Sequence, residues 1–284
     1  MTIEEIEGDA VGIKYDFTYA ELAVEYFRTG SAEVLREIAE TGGAQLIFNH
    51  AARFGYDVPK GSKFELVSHL FEDQQGALDD FVRCVEFVRA RVAEDGFAEG
   101  IALEFLPRGF AFEGTIYFTF GYDIGVAFGK DCSLNLGYYE IMENPSKALA
   151  WAVHEIHHAG FFQIRGGEMP SLDLQTYGDL SGLMETLTHL EGMGTYAAGQ
   201  DSEPADELEQ EFFGMYGHFK NEPDKLLDDA DLQRFWELLA KRPQYTLGAK
   251  MAKRIDCEFG RERLTSLIAQ PSSDFFALYL NIKQ

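Results

Sequence analysis

The sequence predicts an α+β protein that is mostly helical, with a small, mostly antiparallel sheet before a helix carrying an HExxH motif. Three observations support this prediction. Apolar residues recur at helical spacing from about Tyr19 to Asp95 and again after residue 179. Between these regions, short runs rich in β-branched and aromatic residues are separated by glycines. At 46% hydrophobic and 14% aromatic, a chain of 284 residues can bury a substantial core.

The first region, residues 1–100, is predicted to consist of helices. Its breaks are Gly42-Gly43 and the segment Pro59-Lys60-Gly61-Ser62. His50 and His69 lie within the helical patterns. Each is interpreted as a structural histidine, because neither has a second ligand at metal-binding spacing.

The second region, residues 101–200, begins with the predicted strands. They are expected at Ile101 to Leu106, Thr115 to Phe120, Ile124 to Phe128 and Ser133 to Tyr138. Such short segments favour a small, mostly antiparallel sheet.

Two helices follow in the same region. Asn144 is predicted to cap the first, with Pro145 at its opening position, and the apolar pattern continues from Lys147 to Phe162. The second is expected from about Asp179 to Ala198.

The third region, residues 201–284, starts with an acidic segment and continues with helices. They are predicted at Lys225 to Leu239, at Leu247 to Phe259 and from Arg261 onward. The three regions are expected to form one compact unit.

The HExxH motif spans His154 to His158 in the first of the two central helices. A chain of this composition is expected to contain only about 0.02 such motifs by chance. His154 and His158 are four residues apart, so they share one helix face and can bind one Zn²⁺. Glu155 then lies beside the metal, where a general base for a zinc-activated water is needed. His157 is offset from the face that His154 and His158 share, and it is interpreted as a surface residue or a neighbour of the ligands.

A catalytic zinc site needs a third protein ligand and one position open to water. The candidates are Glu185, His189 and Glu191, all on the next predicted helix. Glu191 is followed by Gly192 and other small residues, which are expected to let this helix approach the HExxH helix closely.

An HExxH followed by Glu191-Gly192 on the next long helix resembles the gluzincin metallopeptidases, and aminopeptidase N-like enzymes in particular. The resemblance implies a zincin-like fold, with His154, His158 and Glu191 as zinc ligands and Glu155 as general base. Several uncharacterised families of zinc-dependent peptidases share this pattern, so the chain is also similar to them.

The aminopeptidase N-like enzymes carry a catalytic tyrosine in a Tyr-x-x-Gly motif, which resembles Tyr245-Thr246-Leu247-Gly248 here. The resemblance implies that the Tyr245 hydroxyl stabilises the oxyanion of the transition state. Tyr216 and His218 remain alternatives for this role.

The chain departs from the family in one element. Met142-Glu143-Asn144 is preceded by Ile141 and lies only ten residues before His154, so it is interpreted as a helix cap rather than an amine-binding element. Exopeptidase specificity therefore does not carry over.

The function predicted from these residues is zinc-dependent hydrolysis of peptide bonds in a peptide or protein substrate. One alternative is a zinc-binding regulatory or sensor protein on the same fold without peptidase activity. A di-iron carboxylate oxidase is a poor third, because a second ExxH is absent from the sequence.

The formal net charge of −24 argues against nucleic acid or an anionic membrane as partner. It is interpreted as a solubility feature, with a preference for cationic substrates as the alternative. Lys250, Lys253 and Arg254 are expected to pair with acidic groups, or to bind a substrate carboxylate. Three dispersed cysteines, and an N-terminus without a signal pattern, predict a cytoplasmic protein. The oligomeric state is not predicted.

Overall fold

The structure, a computed structural model, describes residues 12–54, 57–72, 78–95, 97–167, 170–200 and 202–282. The N-terminal residues on which the prediction of no signal sequence depends lie outside this part. The chain divides into two compact units. Unit 1 comprises Met1–Leu103 and Ala111–Gln163, and unit 2 comprises Glu104–Phe110 and Ile164–Gln284. The division into three regions that the sequence suggested stays a prediction.

The described part of unit 1 contains a four-stranded sheet, with helices between its first two strands and after its last strand. The strands are β1 (Gly12–Asp16), β2 (Glu113–Thr119), β3 (Gly125–Phe128) and β4 (Asp131–Asn135). The helices are α1 (Thr18–Thr29), α2 (Ala32–Ala39), α3 (Gly42–Phe54), α4 (Lys63–Phe71), α5 (Leu78–Asp95), α6 (Glu99–Leu103), α7 (Tyr139–Glu143) and α8 (Lys147–Ile164).

The sheet is mixed, so the prediction of a mostly antiparallel sheet is wrong. The strand order is β1-β2-β4-β3, in which β1 and β4 pair parallel to β2 and only β3 and β4 pair antiparallel. The chain passes from β2 to the edge strand β3 and returns as β4 between them. Parallel pairing needs long connections, and α1 to α6 supply one between β1 and β2.

Two of the four predicted strands match the structure closely, at β2 and β3. The predicted strand from Ser133 to Tyr138 corresponds to β4, which begins and ends earlier. The predicted strand from Ile101 to Leu106 is wrong, because this segment contains most of α6. A short apolar run does not distinguish a strand from a buried helical turn.

The HExxH helix α8 is buried on all its faces from Ala152 to Phe162. A helix buried all round belongs to the interior, where it holds its side chains in fixed positions. Before it, Asn144 Oδ1 accepts hydrogen bonds from Ser146 N at 3.2 Å and Ser146 Oγ at 2.7 Å. Asn144 therefore caps the turn that leads into α8, although regular helix begins at Lys147 rather than at Pro145.

Unit 2 is helical. Its elements are α9 (Tyr177–Ala197), α10 (Asp206–Asn221), α11 (Asp229–Ala240), α12 (Pro243–Phe259), α13 (Arg261–Ser266), the 3₁₀ turn Leu267–Ala269 and α14 (Ser272–Ile282). Among the described residues, α9 and α12 pack together more extensively than any other pair of elements. No helix in the described ranges is long and apolar enough to cross a membrane.

Candidate metal centre

His154 and His158 lie one turn apart on α8, as their spacing predicted. Their ring centroids are 4.3 Å apart, and the rings are inclined by 73° to each other. His154 is 2% exposed and His158 is 6% exposed. Two buried imidazoles on one helix face can therefore present nitrogen atoms to one ion.

His157 is fully buried, so of its two interpretations the surface residue is wrong, and the neighbour of the ligands stays a prediction. Its ring lies 6.3 Å from that of Phe161, centroid to centroid. Because α8 is buried on every face from Ala152 to Phe162, the position just before His158 is enclosed as well.

Glu155 is buried against the start of the edge strand β3. A Cβ atom added at Gly125 would lie 2.6 Å from both Cγ and Oε1 of Glu155. Burial, followed by the negative charges of Glu155 and Asp131, raises the pKa of the Cys132 thiol on β4 well above its ordinary value. The carboxylate thus occupies a confined space beside β3 and β4.

Glu191 is the candidate third ligand that lies close to the two histidines. Among the described residues, His154, His158 and Glu191 each offer one ligand atom, and these atoms lie within 4.8 Å of one another. Bonds of about 2.1 Å in a tetrahedral zinc site place the ligand atoms about 3.4 Å apart. Two imidazoles and a carboxylate are also a donor set found in catalytic zinc sites. These three residues therefore fit a zinc ion.

Glu185 has other partners in unit 2. Its Oε1 accepts hydrogen bonds from Tyr216 Oη at 2.6 Å and from Lys220 Nζ at 2.8 Å. Glu185 is 6% exposed, and the half-exposed Lys220 balances its charge. Glu185 thus belongs to an ion pair within unit 2.

His189 also lies within unit 2, packed against α14. Its Nδ1 lies 3.2 Å from Ser272 Oγ and 3.3 Å from Arg165 Nη2. The ring stacks on Phe275 with 4.4 Å between centroids. These contacts give His189 a packing role between α9 and α14.

Tyr245 lies in the first turn of α12, as the motif predicted. Its side chain is partly exposed, and the Arg242 guanidinium lies 5.5 Å from the ring centroid. Of the two alternatives for the oxyanion donor, Tyr216 donates its hydroxyl to Glu185. Burial, followed by this hydrogen bond, raises the pKa of Tyr216. His218 packs on Tyr177 with 5.1 Å between ring centroids.

Lys250 pairs with acidic groups, as one of its two interpretations expected. Its Nζ lies 2.7 Å from Glu209 and 3.6 Å from Glu203. The hydrogen bond to Glu209 is the main cause that raises the pKa of Lys250. This favours an ion pair over a substrate carboxylate clamp at Lys250.

Two features near the candidate site were not foreseen from the sequence. One is the contact of Gly125 with Glu155. The other is that the backbone nearest to Gly192 belongs to Gly248 on α12. The sequence signal for both contacts is a glycine within a predicted strand or helix, because such a glycine often marks a close approach to a neighbouring element.

A buried HExxH helix and a clustered His-His-Glu donor set are features of a metal-binding protein, and the donor set fits zinc. Comparison with known families agrees at this level. Residues 98–284 match the family described as "Putative zinc dependent peptidase (DUF5700)", and the match covers about two thirds of the chain. The chain belongs to this family. No curated protein and no solved structure matches it.

Proposed function

We propose that this protein is a zinc-dependent metallopeptidase of the gluzincin type, on a zincin-like fold, in which His154, His158 and Glu191 hold the zinc ion. The observation that carries the proposal is the separation of at most 4.8 Å among the ligand atoms of these residues. Membership of a family described as zinc dependent supports the identity of the metal.

Bound zinc lowers the pKa of a water molecule towards about 7 and polarises a carbonyl oxygen. Glu155 is the general base in this proposal. Its carboxylate takes a proton from the attacking water and returns it to the leaving amine. Burial beside β3 and β4 holds the carboxylate in place and limits the access of bulk water.

Tyr245 is proposed as the donor that stabilises the developing oxyanion. Its hydroxyl would donate a hydrogen bond to the carbonyl oxygen as negative charge accumulates there. Its position at the start of α12, packed along the helix that carries Glu191, supports this role.

The edge strand β3 supports a peptide as the substrate. β3 pairs with β4 on one side and is last in the sheet order among the described strands. An extended peptide can add to such an edge through main-chain hydrogen bonds. Since β3 begins at Gly125, which contacts Glu155, a chain bound there would run past the proposed general base.

The test is cleavage of a peptide library by the zinc-loaded protein, with products identified by mass spectrometry. We expect cleavage by the wild type and by Glu237→Gln, which changes an exposed carboxylate on α11. Glu155→Gln should retain zinc and lose turnover by about 10²- to 10⁴-fold. Full activity of Glu155→Gln would contradict the mechanism. Stoichiometric zinc without any cleavage would favour a regulatory or sensor protein instead.

A further inference from the structure

Helices α9 and α12 approach each other most closely through two glycines. A Cβ atom added at Gly192 would lie 2.3 Å from the carbonyl carbon and 2.4 Å from Cα of Gly248. A Cβ atom added at Gly248 would lie 2.4 Å from the carbonyl oxygen of Thr188 and 2.7 Å from Cα of Gly192. Each glycine therefore faces the backbone of the other helix.

The neighbouring atoms are main-chain atoms in helices, so they cannot rotate away from an added methyl group. Glycine is also unfavourable inside a helix, because it loses more conformational freedom on folding than alanine does. Both positions nevertheless lie within helices, at residues 192 and 248. The close approach is the structural reason for these glycines.

The two helices are also joined further along their length. Tyr196 donates its hydroxyl to Asp256 Oδ2 at 2.8 Å, and Asp256 pairs with Arg261 at 2.7 Å. Gly192 and Tyr196 lie one turn apart on α9, so the glycine contact and this hydrogen bond belong to the same interface. The relative position of α9 and α12 is thus fixed at two points.

The glycine contact lies beside two of the functional groups of the proposed site. Glu191 immediately precedes Gly192, and Tyr245 lies one turn before Gly248. We propose that the Gly192–Gly248 contact is a positioning device that sets the distance between the Glu191 carboxylate and the Tyr245 hydroxyl. This inference rests on the proposed function, in which the first group holds zinc and the second stabilises the oxyanion.

The displacement that an alanine would cause is large on the scale of a metal site. Non-bonded carbon atoms need about 3.5 Å, so a separation of 2.3 Å requires the helices to move apart by about 1 Å. Metal–ligand distances are met only within about 0.2 Å. Changes in groups that orient metal ligands lower metal affinity or activity by about 10- to 100-fold.

The experiment compares alanine at three glycines. Gly192→Ala and Gly248→Ala force the helices apart, whereas Gly182→Ala is the matched control on α9, where an added Cβ has no atom within 4 Å. Zinc affinity is measured by competition with a chelator, and kcat and KM are measured on a peptide that the wild type cleaves. Helix content and thermal midpoint are recorded for every variant.

We expect Gly192→Ala and Gly248→Ala to lower zinc affinity, kcat or both by about 10- to 100-fold, and Gly182→Ala to match the wild type. Tyr245→Phe is added in both the wild-type and the Gly248→Ala backgrounds. If Gly248 positions Tyr245, the loss of kcat caused by Tyr245→Phe should be smaller in the Gly248→Ala background than in the wild type.

The outcomes separate the two proposals. In one outcome the wild type binds zinc and cleaves, and Gly192→Ala and Gly248→Ala keep zinc affinity and kcat within about twofold of those of the control. This outcome would overturn the positioning role but not the proposed function. A lowered thermal midpoint with unchanged kcat and zinc affinity would do the same, because the contact would then serve stability only. A wild type that does not bind zinc would overturn the proposed function and this inference with it.

A further variant tests the proposal if Gly192→Ala and Gly248→Ala both fail to fold. Ala252→Gly removes a buried methyl group one turn beyond Gly248 on the same face of α12, so it loosens the helix pair without a clash. We expect kcat to fall and KM to change little. An unchanged kcat together with a lowered thermal midpoint would overturn the positioning role.

Discussion

At the scale of residues, the HExxH segment concentrates buried ionisable groups. His154, Glu155, His157 and His158 are each no more than 6% exposed, within five consecutive residues. Such groups are costly in an apolar interior unless they are hydrogen bonded, paired or bound to a metal. A metal held by two of the imidazoles gives a physical reason for placing them on a buried helix.

The close contact between Gly125 and Glu155 can be tested by adding a methyl group at residue 125. The methyl group of Gly125→Ala would meet Cγ, Cδ and Oε1 of Glu155 and displace the carboxylate from its confined space. We expect kcat to fall by about 10²-fold, while zinc content stays close to that of the wild type. Steady-state kinetics and metal analysis measure these effects.

The matched control is Gly100→Ala, a site in unit 1 where an added Cβ has no atom within 4 Å. It should leave kcat unchanged. A kcat of Gly125→Ala equal to that of the wild type would show that Glu155 does not need the space beside Gly125 to act as general base.

The spacing of the motif predicted the placement of His154 and His158, because four residues always return to the same face of a helix. The choice of Glu191 over Glu185 and His189 could not be made from the residues themselves, since all three lie on α9. It depends on partners distant in sequence, such as Lys220 for Glu185 and Ser272 for His189. Local patterns do not encode such contacts.

At the scale of elements, α8 and α9 were predicted to within a few residues because their apolar patterns are long. β1 was not predicted. Its five residues, Gly12–Asp16, contain one fully buried side chain, Ile13, and therefore carry little periodic signal. Its parallel pairing with β2, some 100 residues later, and the parallel pairing of β2 with β4 make the sheet mixed rather than mostly antiparallel.

The start of α9 is stabilised by hydrogen bonds between side chains and backbone. Thr176 and Asp179 form a capping box in which each side chain accepts a hydrogen bond from the backbone of the other. Asp179→Ala should lower the free energy of unfolding by about 1 kcal/mol, and the exposed Asp57→Ala should have little effect. Urea denaturation measures both. Equal stability of the two variants would show that the box does not stabilise α9.

The contribution of Asp179 also depends on pH. The backbone hydrogen bond from Gln175, followed by those from Thr176, lowers the pKa of Asp179 below 3.8. A lowered pKa in the folded state means that this stabilisation is complete above the unfolded value. It is lost as the pH falls through the folded value. The difference between wild type and Asp179→Ala should therefore shrink in acid.

At the scale of the whole molecule, tyrosines that are buried or half-buried connect stability to alkaline pH. Burial raises the pKa of Tyr15 and of Tyr19, and burial with the hydrogen bond to Asp256 raises the pKa of Tyr196 from 10.0 to about 12. The unfolded chain therefore loses these protons first as the pH rises. The stabilisation is complete below about pH 10 and is lost as the pH approaches and passes 12.

We expect the urea midpoint to fall steeply above about pH 10. Tyr196→Phe removes one of the titrating groups, so its stability should decline less steeply over the same range. Parallel declines in the two proteins would contradict the assignment of part of this effect to Tyr196.

The formal charge of −24 also belongs to the whole molecule. It opposes association with polyanions, and it gives an attraction for cationic peptides that salt would screen. The predictions of no nucleic-acid partner, no membrane partner and a cytoplasmic location stay predictions. The family match concerns residues 98–284 and bears on the peptidase assignment alone.

Elemental analysis of the purified, dialysed protein tests whether His154, His158 and Glu191 hold one zinc ion. We expect one zinc per chain in the wild type and in Glu207→Ala, which removes an exposed carboxylate on α10. Zinc should be lost in His158→Ala and strongly reduced in Glu191→Ala, with helix content preserved. One zinc per chain in Glu191→Ala, bound as tightly as in the wild type, would contradict the proposed ligand set.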